Sequence, residues 1–373
     1  MNVLVAPNAL KGSLTAFQAA TIIARSLPKE WRAKLCPIAD GGDGTLDCLV
    51  ATTGGRYFDA TVSGPLPGMK VNARWGTLGS ERTAVIEMAE ASGLRLLNAS
   101  LFSATKSTTL GVGELILHAL DAGFDKILVG LGGSATNDGG AGCVQALGVR
   151  LLNPRGGDLP QGGIHLKELR TIDFSHRDQR IDRCEFVCLS DVYNVLLGPT
   201  GATFTYGTQK GASVEELEQL EKSLQHFADV LSQQLSVDVT TLPGGGAAGG
   251  LGAGLSAFCR ATIVSGIDYI LDLIRFDEFL RDCDFVLTAE GSIDDQSLAG
   301  KGISGIVRRA KKLSKPVHAF AGRIRGDGNT LRRQMGLDSM HQIAPTSFSD
   351  EEAMGHAEEL LEASVREFVK HLE

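Results

Sequence analysis

The chain has 373 residues, 44 of them acidic against 36 basic, for a formal net charge of −8. At roughly 100 to 200 residues per domain, such a length points to two or three domains, each with enough chain for a real core. The acidic balance, with no basic cluster beyond pieces such as Arg308, Arg309, Lys311 and Lys312, excludes nucleic acid as the principal ligand. Phosphate stays open, because backbone N–H groups bind it without a basic surface.

Asn2-Val3-Leu4-Val5-Ala6-Pro7 is too short for a signal sequence and reads as a first strand. A helix over 16–27, a strand over 33–38 and a helix over 44–52 follow, the opening of a parallel α/β sheet. Residues 56–77 alternate polar and apolar and hold turn formers, which predicts hairpins. Next come a helix over 109–122, an apolar strand around Ile127, Leu128 and Val129, a helix over 140–147, a strand over 186–189 and a helix over 214–235. A glycine cluster covers 244–254. Strands at 285–289, 317–321 and 340–343, a helix over 303–312 and a long amphipathic helix over 351–372 close the chain.

These patterns predict an α/β protein of two domains. Residues 1–55 with 263–373 form a discontinuous parallel-sheet domain, and 56–262 form an inserted mixed α/β domain, with a cleft between them as the expected ligand site. No apolar stretch approaches the roughly 18 residues of a membrane span, so the protein is expected in the cytoplasm with no membrane partner. Its seven scattered cysteines are odd in number and read as small buried hydrophobes, not as disulfides or a zinc site. Oligomerisation stays open.

Three segments join glycine to carboxylate after an apolar run: Ala39-Asp40-Gly41-Gly42-Asp43-Gly44-Thr45, L-G-G-S-A-T-N-D-G-G-A-G at 131–142, and Thr288-Ala289-Glu290-Gly291-Ser292-Ile293-Asp294-Asp295. Glycine lets a ligand approach the main chain, and a helix N-terminus beside it offers unpaired N–H groups. Carboxylates can hold Mg²⁺ or accept a proton from a hydroxyl. Singly, each segment also reads as a helix cap or turn. Three together favour a ligand site.

Gly300-Lys301-Gly302 is not a Walker A loop. Gly244, Gly246 and Gly249 match a dinucleotide fingerprint by letter, but 240–243 makes a poor strand end, so the match is accidental. With no nucleophile elbow or zinc-protease motif, and histidines that stand apart, carboxylates and lysines must carry any chemistry. Lys11 follows the first strand, where open α/β sheets bind ligands, Lys210 precedes a helix, and Lys301 follows the third acidic segment.

Ala6-Pro7-Asn8-Ala9-Leu10-Lys11-Gly12-Ser13-Leu14, the Asp40 segment, Gly132-Gly133-Ser134-Ala135-Thr136-Asn137-Asp138-Gly139-Gly140, Gln209-Lys210-Gly211-Ala212 and the run at 243–252 follow one another as in the bacterial glycerate kinases. The chain resembles that family along its whole length. The resemblance implies transfer of the ATP γ-phosphoryl group to D-glycerate with Mg²⁺, giving 2-phosphoglycerate, in a protein with a flavodoxin-like discontinuous domain. Asn8 stands where the family usually has Asp, Ser292 where it has Arg, and Val195 where it has Pro. The departures leave a kinase for another small hydroxy acid, or a non-catalytic nucleotide- or metabolite-binding homologue, as alternatives.

The expected catalytic residues are Asp191, Lys11, Asp43 and Asp294. Asp191, which follows the run 186–189, is the expected proton acceptor, with a helix or turn cap as the competing role. Ser13, Gly41, Gly42, Gly132, Gly133, Ser134, Asn137 and Lys210 are expected to bind phosphate and substrate, and Asp138, Glu290 and Asp294 to hold the metal.

Overall fold

A computed structural model describes residues 1–79, 82–294 and 302–372. Lys301 and Asp295 lie outside them. The strands are β1 (Asn2–Val5), β2 (Arg32–Leu35), β3 (Tyr57–Ser63), β4 (Lys70–Thr77), β5 (Thr83–Glu87), β6 (Lys126–Gly130), β7 (Arg150–Leu152), β8 (Thr171–Asp173), β9 (Glu185–Leu189), β10 (Thr262–Val264), β11 (Phe285–Ile293), β12 (Val317–Ile324) and β13 (Ser339–Gln342). The chain divides into two compact units, Met1–Asp40 with Ile267–Glu373, and Gly41–Gly266.

In the first unit five parallel strands stand in the order β2-β1-β11-β12-β13. Counted along this unit alone that is 2-1-3-4-5, the order of flavodoxin-like sheets. Val3 and Val5 join Phe285, Leu287 and Phe320 under the helices Ala16–Arg25 and Ala357–Lys370, while Leu4 and Val286, on the opposite face, are also fully buried. Burial on both faces is why these strands read as apolar runs without alternation. Two expectations differ here. Residues 290–293 are not loop but the end of β11, still paired with β12 through Ser292 and Arg323. The single long terminal helix is two helices, Asp350–Gly355 and Ala357–Lys370, separated at His356 where Gly355 offers the backbone little helical preference.

The second unit holds a six-stranded sheet, β10-β9-β6-β5-β4-β3. Strands β3, β4 and β5 are antiparallel, so 57–77 is the hairpin that its alternation predicts, whereas β5, β6, β9 and β10 run parallel. The helix Thr45–Thr53 packs on β4 and β5, which puts the chain crossing at Asp40 and Gly41 instead of near residue 55. Helix Val214–Leu235 starts at Ser213, whose hydroxyl accepts from Glu216 N while the Glu216 carboxylate accepts from Ser213 N. No strand precedes the glycines at 244–249, so the dinucleotide match has no structural footing. All seven cysteines are buried and unbridged. Among the described residues no helix is long and apolar enough to cross a membrane.

Candidate active site

In sheets of the first unit's order, ligands bind beyond the carboxyl ends of the strands where the chain changes direction, here between β1 and β11. Asn8 sits at that point. Its backbone N donates to the Ala289 carbonyl at 2.9 Å, its Oδ1 accepts from Ala9 N at 2.8 Å, and its Nδ2 donates to Asp40 Oδ2 at 3.2 Å. Asn8 is thus spent on shaping the loop, and Leu10 and Leu14 bridge to close it. Lys11, at the loop tip, is exposed, and Ser13 donates through Oγ to the Leu10 carbonyl at 2.9 Å. Glu290 and Asp294 lie at the adjoining end of β11. The Ser292 hydroxyl is buried and has no hydrogen-bond partner among the described residues.

In the second unit the parallel strands end in register, Glu87 beside Gly130, Gly130 beside Leu189, and Leu189 beside Val264. Every expected site residue of this unit except Lys210 lies on the loops that leave β6 and β9 or on the 41–44 loop laid over them. Gly41 takes φ +91°, and a Cβ on it would come within 2.5 Å of the Leu189 carbonyl oxygen; a Cβ on Gly132 would overlap Gly42 Cα. These glycines let three stretches of backbone touch. Gly133 lies against the Asp43 carboxylate. Asp191 is 8 % exposed and accepts from Ser265 Oγ at 3.1 Å, which brings it to the β9 and β10 ends.

Asp138 does not fit the metal role expected of it. Its fully buried carboxylate already takes four donors: Thr109 N at 2.8 Å, Thr109 Oγ1 at 2.9 Å, Gly142 N at 3.2 Å and Gly140 N at 3.1 Å. Ala141 N and Cys143 N are spent on the Asp138 carbonyl and on Thr109 Oγ1. The N-terminus of helix Ala141–Ala146 therefore holds the protein's own anion. What remains for a ligand is the first half of the loop, 132–134. Among the described residues no three His, Cys, Asp or Glu side chains gather at a spacing that could hold a metal ion.

Lys210 is buried beneath that half, with Nζ 2.9 Å from Ser134 Oγ and 2.8 Å from the Thr136 carbonyl. Burial pulls its ammonium down to about 7, and the Asp138 charge opposes the pull. Asn137, also fully buried, donates to Thr203 Oγ1 at 3.2 Å, while its Oδ1 has no partner among the described residues.

A further titratable group was not anticipated. Glu87, at the end of β5, accepts from Leu46 N at 2.6 Å, which ties the helix after the Asp43 loop to the sheet. Burial, with the nearby Asp43 and Glu90 charges, pushes its carboxyl up to about 8 against Leu46 N–H and Arg95. Arg95 bonds Glu90 at 2.5 Å and stands 3.5 Å from Asp43 Oδ1. The signal was present, a carboxylate at the end of the apolar run Ala84, Val85, Ile86, the same signal that singled out Asp191.

The model of the Glycerate kinase family matches residues 3–373. A glycerate kinase of Bacillus subtilis is 42 % identical over 98 % of this chain and 96 % of its own. A glycerate 2-kinase of Escherichia coli is 43 % identical, covering 92 % and 90 %. The crystal structure of a provisionally assigned glycerate kinase 2 from Salmonella typhimurium LT2 superposes with a TM-score of 0.85 at 42 % identity, covering 100 % of this chain and 98 % of that one. With the glycine and carboxylate loops placed at the strand ends and the match running nearly end to end, the chain belongs to the glycerate kinase family.

Proposed function

We propose that this protein transfers the γ-phosphoryl group of ATP to D-glycerate in the cytoplasm and releases 2-phosphoglycerate and ADP. The observation that carries the reading is the 43 % identity to a glycerate 2-kinase in a chain whose glycine and carboxylate segments all lie at carboxyl ends of parallel strands. The two compact units would be the two domains of the enzyme.

Phosphoryl transfer is mostly positioning and charge stabilisation. Asp191 would accept the proton of the glycerate hydroxyl as its oxygen forms a bond to the γ-phosphorus and the bond to ADP breaks. Asp43, Lys11 and Asp294 would be the other catalytic residues. Ser13, Ser134, Asn137 and Lys210, with the amides of Gly41, Gly42, Gly132 and Gly133, would bind phosphate and carboxylate oxygens directly or through a neighbour. Mg²⁺ usually takes only one or two protein carboxylates together with substrate phosphates and water. Glu290 and Asp294, at the end of β11, suit that demand, and the ion would neutralise phosphate charge; Asp138, fully buried and held by four donors, does not suit it.

One observation favours a second reading. Ser292 presents a buried, unpartnered hydroxyl among the described residues, at the position where an arginine was expected, which suits a different small hydroxy acid. ADP release measured with D-glycerate and a panel of hydroxy acids, for the wild type and Asp191→Asn, tests both readings. D-glycerate should give the highest kcat/KM, and Asp191→Asn should lose about 100-fold or more in kcat. A better acceptor in the panel would establish the second reading, and a fully active Asp191→Asn would remove Asp191 from its role.

A further inference from the structure

Lys210 ends the turn Thr208–Lys210, and Gly211 reverses the chain behind it at φ +88°. The side chain is thereby sent inward, and the residue is only 2 % exposed. Both acceptors of its ammonium, Ser134 Oγ and the Thr136 carbonyl, belong to the loop that leaves β6. A ligand resting on that loop can touch the half-buried Ser134 but not the ammonium beneath it. A hydroxyl oxygen that accepts from an ammonium keeps its own hydrogen to donate, and the charge behind it strengthens the bond it makes.

We propose that Lys210 is a positioning residue that touches no ligand itself and holds Ser134 Oγ as a charge-backed donor to an anionic oxygen of the reactants. That oxygen belongs to the glycerate carboxylate or to a nucleotide phosphate. The inference rests on the kinase reading and deepens it.

A methionine of similar length could fill the same space without the cost of burying a charge. The charge at this position therefore asks for a role that needs charge. Its surroundings are the buried Asp138 carboxylate and the Tyr206 ring, whose centroid is 5.9 Å from Nζ and whose hydroxyl is given to Asn194 Oδ1 at 2.9 Å. Because the ammonium is drawn down to about 7, an anion that prefers the protonated form binds more weakly as pH rises through that value.

The test is steady-state kinetics with ATP and D-glycerate varied separately, for the wild type, Ser134→Ala, Ser134→Thr, Lys210→Met and the Ala/Met double variant. Ser134→Ala should raise the KM of one reactant by about ten-fold or more with a smaller effect on kcat, and Ser134→Thr should restore it. A response in the D-glycerate KM identifies the carboxylate; a response in the ATP KM identifies a phosphate. The double variant should be no worse than Ser134→Ala, and the rise of that KM through about pH 7 should vanish in Ser134→Ala. Unchanged KM values in Ser134→Ala, or effects that multiply in the double variant, would overturn the proposal.

If Lys210→Met does not fold, the two Ser134 variants and the pH profile decide alone. If the wild type does not turn D-glycerate over, the kinase reading fails, and thermal stabilisation by ADP and by D-glycerate takes over the test. Loss of one ligand's shift in Ser134→Ala supports the proposal, and equal shifts contradict it.

Discussion

Two buried carboxyl groups of the second unit are both pushed up by burial, but against different numbers of donors. Burial raises the Asp138 carboxyl above its ordinary value, and the four donors around it, from Thr109, Gly142 and Gly140, oppose that rise. Glu87 has the Leu46 N–H and sits among the Asp43 and Glu90 charges, so burial wins and the group reaches about 8. The folded state holds the Glu87 proton more tightly than the unfolded chain does, so stability is fully present below the ordinary carboxyl value of 4.5 and is lost as pH rises through about 8. Glu87→Gln keeps an acceptor for Leu46 N and removes the ionisation. Urea midpoints of the variant, relative to the wild type, should therefore improve from pH 5 toward pH 9; a gap that does not change with pH would show that Glu87 titrates normally.

At the scale of elements, the helix Ala141–Ala146 is anchored by Asp138, which makes this carboxylate structural in the first instance. Asp138→Asn turns one acceptor oxygen into a donor facing backbone N–H groups or a hydroxyl. It should cost about 2–4 kcal/mol in unfolding free energy by urea denaturation, and a loss within error of zero would contradict the capping role. Helix 214–235 was legible to the residue because Ser213 and Glu216 form a capping box before an amphipathic run. The hairpin of β3 and β4 was legible through its alternation. Strands β7 and β8 were not, because each has three residues and their pairing depends on tertiary contact. Glu290 and Ser292 looked like loop because glycine and polar residues mark turns, yet the ladder to β12 carries them as strand. For the candidate site, the glycine and carboxylate loops were legible as segments that follow apolar strands. The capture of Asp138 by Thr109, twenty-nine residues earlier in the chain, was not, since nothing local in the sequence announces a long-range hydrogen bond.

For the whole molecule, the all-parallel sheet of the first unit and the mixed sheet of the second each end in polar, glycine-bearing loops, and the chain matches its family over residues 3–373. In the proposed reaction this chain phosphorylates D-glycerate at its 2-hydroxyl. The most direct test is to incubate the purified protein with ATP, Mg²⁺ and D-glycerate and identify the phosphorylated product by NMR. The expected result is ADP and 2-phosphoglycerate in equal amounts. Formation of 3-phosphoglycerate, or no phosphorylated acid while ATP remains bound, would contradict it.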